Sequence, residues 1–232
     1  MSLFHPTLLE CFLNSEIPLG SNLLLIGPPG AGKTVFCENV ICEAAKNKTK
    51  IMYVTLDHSP KDVLRRNSQL VGNPVTDSGC PTFVDGYSWL VGESNEQYHV
   101  GSLSNLSELS VKIISASNEL GEGAFFVFDS ISTLLVYNPE NEVARFLEVN
   151  MARMKHINNV GLWTIEQGIH SESFYNMLRH MTDGVLEIRL KEDDLKRFIR
   201  MHSFRGISHS TEWRSFTVSK DGLFVLGEVT HL

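Results

Sequence analysis

Hydrophobic residues arrive along this chain in short unbroken runs, and longer segments with apolar positions at helical spacing fall between them. Leu23 to Ile26, Ile51 to Thr55, Ala124 to Phe128 and Val160 to Ile165 are such runs. They fit strands covered on both faces, as in a parallel sheet. Ser59 to Val71, Leu106 to Leu120 and Asn141 to Ile157 read as the covering helices. In the last of these, Val143, Phe146, Leu147, Met151 and Met154 form a buried stripe. Another helix follows the first run, where Val35, Phe36, Val40 and Ile41 alternate with Glu38, Asn39 and Glu43, and Ala44 and Ala45 continue it. Strands alternating with helices predict an α/β fold with a mostly parallel, twisted sheet flanked by helices.

Two regions break the rhythm. Gly72 to Ser102 carries Pro74, Pro81 and several glycines, which predicts a loop with a short strand at Thr82 to Asp85. Beyond Asp183 the period shortens toward two. Gly184 to Leu190, Phe198 to Phe204, Glu212 to Val218 and Leu223 to Leu226 are expected to form a C-terminal antiparallel β extension, with Glu192-Asp193-Asp194 as a solvated turn. Neither an internal repeat nor a linker rich in Pro, Gly or Ser divides the chain. One domain is expected over residues 1–232.

Between the first strand and its helix, Gly27, Gly32, Lys33 and Thr34 satisfy G-x-x-x-x-G-K-[ST]. The motif can cradle phosphate only when a buried strand delivers it to a helix N-terminus, and both flanks comply. Gly27, Pro28, Pro29, Gly30, Ala31, Gly32, Lys33, Thr34 and Val35 are therefore the expected nucleotide-binding residues. The glycines let backbone N–H groups turn inward where the helix dipole favours an anion. Lys33 would neutralise the terminal phosphates, Thr34 would hold Mg²⁺, and the two prolines stiffen the approach. A P-loop site also needs an acid ending another buried strand, and Asp129 in AFFVFDS supplies it. Alone, such an Asp is often a helix cap; beside the loop it is the expected metal-associated acid.

Composition narrows the function classes without naming one. The 232 residues, 42% of them hydrophobic, suffice for a substantial core and exclude a disordered class. The formal charge of −7 argues against a surface built mainly for nucleic acid, although a local basic path could survive it. No apolar stretch approaches the roughly twenty residues needed to span a bilayer, and no signal-like segment opens the chain, so a cytoplasmic protein is expected. Cys11, Cys37, Cys42 and Cys80 lack CxxC spacing and are expected as small core residues. His5, His99, His156, His170 and His231 form no metal spacing.

Together these segments resemble the RecA superfamily, and its KaiC-like branch in particular, a single-domain type found in many archaea. EIPLGSNLLLIGPPGAGKT is similar to the family's opening hairpin and phosphate loop, IMYVTLDHSPKDVL to its second strand and acidic site, and FFVFDSISTLL to its Walker B strand. MTDGVLEIRL resembles its late strand and FRGISHSTEWRSFTVSKDGLFV its closing motif and hairpin. The resemblance implies a RecA-like P-loop NTPase core that uses ATP and Mg²⁺, with ATP at the junctions of a homo-oligomeric ring, usually of six subunits. It also implies that Arg205 and His209 reach a neighbour's nucleotide. Local pairing of Arg205 with a carboxylate is the alternative.

The resemblance also has gaps. Where the family usually has two adjacent glutamates, one positioning the attacking water, this chain has Asp57 and His58. Asp57 is the expected base, set back by one methylene, whereas a His58 made cationic by nearby phosphate would lack the lone pair a base needs. Ser203 stands where the family often has a lysine, and Arg179-His180 where the clock kinase carries its phosphorylated pair. Nucleotide binding with slow hydrolysis is therefore the leading expectation, as suits a switch acting on an unidentified protein partner. An ATP-binding scaffold with negligible turnover and a recombination mediator on single-stranded DNA are the alternatives. Glu166 and Gln167 sit near the family's γ-phosphate sensor, either functional or structural, while Tyr87 and Trp89 read as packing residues.

Overall fold

A computed structural model describes residues 7–13, 15–71, 80–191, 195–219 and 224–230. The expected turn at Glu192-Asp193-Asp194, His5, His231 and the 72–79 part of the expected loop lie outside them. In chain order the elements are α1 (Thr7–Glu10), β1 (Asn22–Gly27), α2 (Lys33–Lys46), β2 (Ile51–Thr55), α3 (Pro60–Val71), β3 (Thr82–Asp85) and a 3₁₀ turn (Ser88–Leu90). They continue with β4 (Tyr98–His99), α4 (Leu106–Leu120), β5 (Phe125–Asp129), α5 (Ile131–Tyr137), α6 (Glu140–His156), β6 (Val160–Glu166) and α7 (Glu172–Met181). The chain closes with β7 (Gly184–Leu190), β8 (Arg197–Phe204), β9 (Trp213–Val218) and β10 (Phe224–Thr230).

Among the described residues these strands form one sheet in the order β10-β9-β8-β7-β1-β6-β5-β2-β3-β4. Pairing is parallel from β7 through β1 to β4 and antiparallel from β7 out to β10. The expected parallel sheet with a C-terminal antiparallel extension is thus the observed architecture. Because successive side chains point to opposite faces, each central strand feeds two cores. Leu23, Leu25, Tyr53 and Phe125 pack with Phe36 and Val40 of α2 on one face. Leu24, Ile26, Phe126, Phe128 and Trp163 pack with Ile113 of α4 and Leu147, Met151 and Met154 of α6 on the other.

Register then places the chemistry. Gly27 stands beside Glu166, and Thr55 beside Asp129, so the carboxyl ends of β1, β6, β5 and β2 open on one rim. Ligands of open α/β sheets bind at such a rim.

Several expectations need correction. Glu38 and Asn39, the polar positions that alternate with the apolar ones in α2, are buried as well, at 2% and 6% exposed. Arg66 of α3 donates to Glu38 at 2.6 Å, and Asn39 Oδ1 accepts from the backbone N–H of Phe224 in β10 at 3.0 Å. The C-terminal hairpin and α3 cover the side that helical periodicity assigns to water. Cys37 and Cys42 are core residues as expected, but Cys11 is half-buried and Cys80 exposed, because Cys80 precedes β3 rather than lying in it. The reading also lacks α5, α7 and β4. The Ser171 hydroxyl caps α7 by accepting from Phe174 N–H at 3.2 Å, a signal that Ser171-Glu172 carried at sequence level. The indole of Trp89 packs edge-on against Tyr137 with 5.5 Å between ring centroids, in keeping with a packing role.

Candidate nucleotide-binding site

Gly32 sits at φ 101° and Gly30 at φ 70°, left-handed conformations that side chains with a Cβ resist. Gly32 therefore turns the chain into α2, and its carbonyl takes the first helical bond from Phe36 N–H at 2.9 Å. A Cβ on Gly27 would lie 3.0 Å from Cβ of Ile188, so glycine there lets β1 pack closely on β7. Lys33 folds back over the loop, its Nζ donating to the carbonyls of Gly27 and Pro28 at 3.0 Å each and standing 3.9 Å from Glu166. Burial pushes the Lys33 ammonium down from the usual lysine value, against the pull of Glu166, Asp129 and Asp57.

A cleft of about 270 Å³ opens here, lined by Gly30, Gly32, Lys33, Thr34, Val35, Asp57, Asp129, Ser130 and Glu166. Larger clefts of about 370 and 500 Å³ lie beside α4 and around Trp89, but neither joins a glycine-rich turn to buried carboxylates. Convergent chemistry outweighs size here.

Asp129 is 3% exposed and has both oxygens engaged: Oδ1 accepts from the Thr164 hydroxyl at 2.7 Å, and Oδ2 from Tyr53 at 3.1 Å. Burial holds the Tyr53 hydroxyl well above its ordinary pKa, and the charge of the Asp129 carboxylate it donates to adds to the rise. The peptide between Asp129 and Ser130 is cis. Asp57 accepts a hydrogen bond from Thr133, whose hydroxyl also lies 3.0 Å from that of Ser130. Burial raises the Asp57 carboxyl above its usual range, the Thr133 bond opposes this, and the nearby Asp129 charge adds to the rise.

The cleft thus brings together Gly30, Gly32, Lys33, Thr34, Val35, Asp57 and Asp129 among the residues expected from sequence. Ala31 is fully buried behind the loop, while the carbonyls of Gly27 and Pro28 hold Lys33; Pro29 is exposed. His58 lies outside the lining, and its carbonyl accepts from Thr55 at 2.6 Å. Gln167 is exposed beyond the rim. Arg205 and His209 stand apart from this chain's own cleft. A guanidinium nitrogen of Arg205 donates to the carbonyl of His180 at 2.5 Å, at the end of α7. His209 Nδ1 is 2.8 Å from the carbonyl of Ile207, and its backbone bridges Leu13.

Sequence reasoning missed Tyr53, Thr164, Ser130 and Thr133. Hydroxyls inside otherwise apolar runs, as in IMYVT and VGLWTI, were the available signal.

Oxygen donors of this kind suit a hard cation: the Thr34 hydroxyl and the Asp129 carboxylate share the cleft. Among the described residues no three His, Cys, Asp or Glu side chains cluster as a metal site. A Mg²⁺ ion here would accordingly be held jointly with a nucleotide's phosphates.

A strand, a glycine-rich turn and a helix at the centre of a mainly parallel sheet, with a buried acid two strands away, define a P-loop nucleotide-binding protein. The family described as "ATPase: KaiC" matches residues 7–230, and the chain belongs to that family, within the RecA superfamily. It is 27% identical over 222 residues to a UPF0273 protein of Thermotoga maritima, covering 92% of this chain and 90% of that one. A UPF0273 protein of Pyrococcus horikoshii is also 27% identical, with 92% and 88% covered. A DNA repair protein RadA of Helicobacter pylori is 25% identical, over 97% of this chain but 46% of its own length. The solved structure of a KaiC-like protein from Pyrococcus horikoshii superposes with a TM-score of 0.74 at 19% identity, covering 94% of both chains. That likeness speaks for the fold alone. No helix among the described residues is long and apolar enough to cross a membrane.

Proposed function

We propose that this chain binds ATP with Mg²⁺ in the cleft at the head of α2, hydrolyses it slowly, and works as a nucleotide-dependent oligomeric switch. The observation carrying this reading is the meeting of Lys33, Thr34 and Asp129 in one cleft beside the inward-turned glycine loop. Backbone N–H groups of the loop would cradle the phosphates, and Lys33 would exchange its carbonyl partners for their oxygens. Thr34 would hold the ion directly, with Asp129, fixed by Thr164 and Tyr53, behind it. Bound magnesium would neutralise charge on the phosphates. Arg205 and His209, placed away from their own cleft, would serve a neighbour's in a homo-oligomeric ring, with ATP at each subunit junction and Arg205 giving up its bond to the His180 carbonyl. Residues 1–232 act as one cytoplasmic domain in this reading.

An ATP-binding scaffold without turnover is the second reading, supported by the Asp57 carboxylate being engaged by Thr133. Single-stranded DNA binding has the RadA relative in its favour and the charge of −7 against it. Calorimetric titration with ATP and Mg²⁺, together with the particle mass measured with and without them, tests the proposal. Heat of binding and a larger particle with nucleotide are expected, and indifference to millimolar ATP would end it.

A further inference from the structure

We propose that Glu166, rather than Asp57, is the carboxylate that takes the proton from the attacking water. This inference rests on the ATP reading above. A general base needs a free lone pair aimed at the reacting centre; a carboxylate has about four lone-pair sites, so a single donor leaves it basic but fixes where it points. Three carboxylates line the cleft. Asp129 accepts from Thr164 and Tyr53, and Asp57 accepts from Thr133. Glu166 differs from both. Among the described residues its carboxylate meets the ammonium of Lys33, 3.9 Å away, and no hydrogen-bond donor.

Its backbone, in contrast, is tied on both sides. The Glu166 N–H donates to Ser132 Oγ at 2.8 Å, and its carbonyl accepts from the Tyr175 hydroxyl at 2.6 Å. Ser132 is itself within 2.8 Å of His170 Nε2. A fixed backbone carrying a carboxylate that, among the described residues, no hydrogen-bond donor orients, and that only the Lys33 ammonium faces at 3.9 Å, leaves its oxygens able to turn to a water in the cleft. Parallel register sets Glu166 beside Gly27 at the root of the phosphate loop, and its carboxylate faces the cation that would meet the terminal phosphate. Asp57, on the far side of Asp129 and one methylene shorter, has its oxygen turned to α5.

In the step so assigned, the water oxygen bonds to the γ-phosphorus and its proton passes to a Glu166 oxygen. The bond from the γ-phosphorus to the bridging oxygen breaks, and its electron pair leaves with ADP. The proton then returns to solvent.

The experiment is single-turnover hydrolysis by the full chain, with ATP affinity measured in parallel, for the wild type, Glu166→Gln, Glu166→Ala and Asp57→Asn. Glu166→Gln keeps both backbone bonds and should bind ATP within about threefold of wild type while its rate falls about 100-fold or more. Asp57→Asn should stay within about tenfold. Added formate, a small carboxylate, should restore part of the Glu166→Ala rate, which neither a sensing nor a structural role would allow. A Glu166→Gln rate within threefold of wild type overturns the assignment, as does a Glu166→Ala loss that formate leaves unchanged. Wild-type protein that binds ATP without turning it over also overturns it, leaving the binding proposal standing. Failure of the wild type to bind ATP removes the underlying reading instead.

Discussion

The Thr164 hydroxyl donates to Oδ1 of Asp129 across 2.7 Å, from a strand adjacent to the one that ends in the acid. Both residues are nearly sealed from water, so the bond both neutralises part of a buried charge and fixes the direction of the carboxylate. Replacing Thr164 by Val keeps the shape and removes the donor. Urea denaturation should register a loss of about 1.5–3 kcal/mol, the range for hydrogen bonds to charged groups. ATP affinity should weaken in magnesium and change little in its absence.

Lys33 makes a separate prediction, because its ammonium has carbonyl partners from the loop and a carboxylate across the cleft. Lys33→Ala should lower ATP affinity by on the order of 100-fold, equivalent to about 2–3 kcal/mol of charge-assisted bonding. Folding stability should move by only about 1 kcal/mol, since two carbonyls lose one shared donor. Titration calorimetry and thermal melts separate the two effects. Full affinity in the variant would contradict the phosphate role.

Glu38 supplies a pH dependence. Burial lifts its carboxyl from 4.5 to about 7, while the pairing with Arg66 pulls the other way. The folded chain therefore holds this proton more tightly than the unfolded chain does. Stability from this group is full below pH 4.5, declines as pH rises, and levels off above about 7. The whole drop is of order 3 kcal/mol. Glu38→Gln removes the titration, so the difference in stability between wild type and variant should shift toward the variant between pH 4.5 and 8. Melting curves taken in parallel across that window would reveal the shift, and parallel pH profiles for the two proteins would refute it.

Glu38 also marks the boundary of what local sequence could reveal. The phosphate loop was legible because its spacing is set by the phosphate it would wrap, a constraint contained within eight residues. Central strands were legible as well, since double coverage leaves unbroken apolar runs. The buried side of α2 was not. Phe224, which takes Asn39 as its acceptor, lies 185 residues away, and nothing near Asn39 announces it. Helix α5 was missed for a different reason: seven residues span too few turns for a period to emerge, yet Ser132 and Thr133 on it organise Glu166 and Asp57. The hydroxyls of Tyr53 and Thr164 were hidden by belonging to strands that otherwise read as purely apolar.

The position of Arg205 allows its two candidate roles to be separated. Within its own chain it caps α7, donating to the carbonyl of His180 at 2.5 Å, far from any role in its own cleft. If that is its whole function, Arg205→Ala should lower stability by roughly 1 kcal/mol and leave hydrolysis alone. A trans role predicts the opposite weighting, with turnover falling by about 10³-fold or more, as for other arginine fingers. Mixing makes the distinction direct. Arg205→Ala subunits retain an intact phosphate loop, and Lys33→Ala subunits retain the arginine. Each alone should be inactive. In randomly mixed rings about a quarter of the sites combine a good loop with a neighbour's good arginine, because head-to-tail contacts present different surfaces of successive subunits. The mixture should recover activity toward that fraction. Two inactive proteins that stay inactive when mixed, under conditions where labelled wild-type subunits exchange, would place Arg205 in its own chain only.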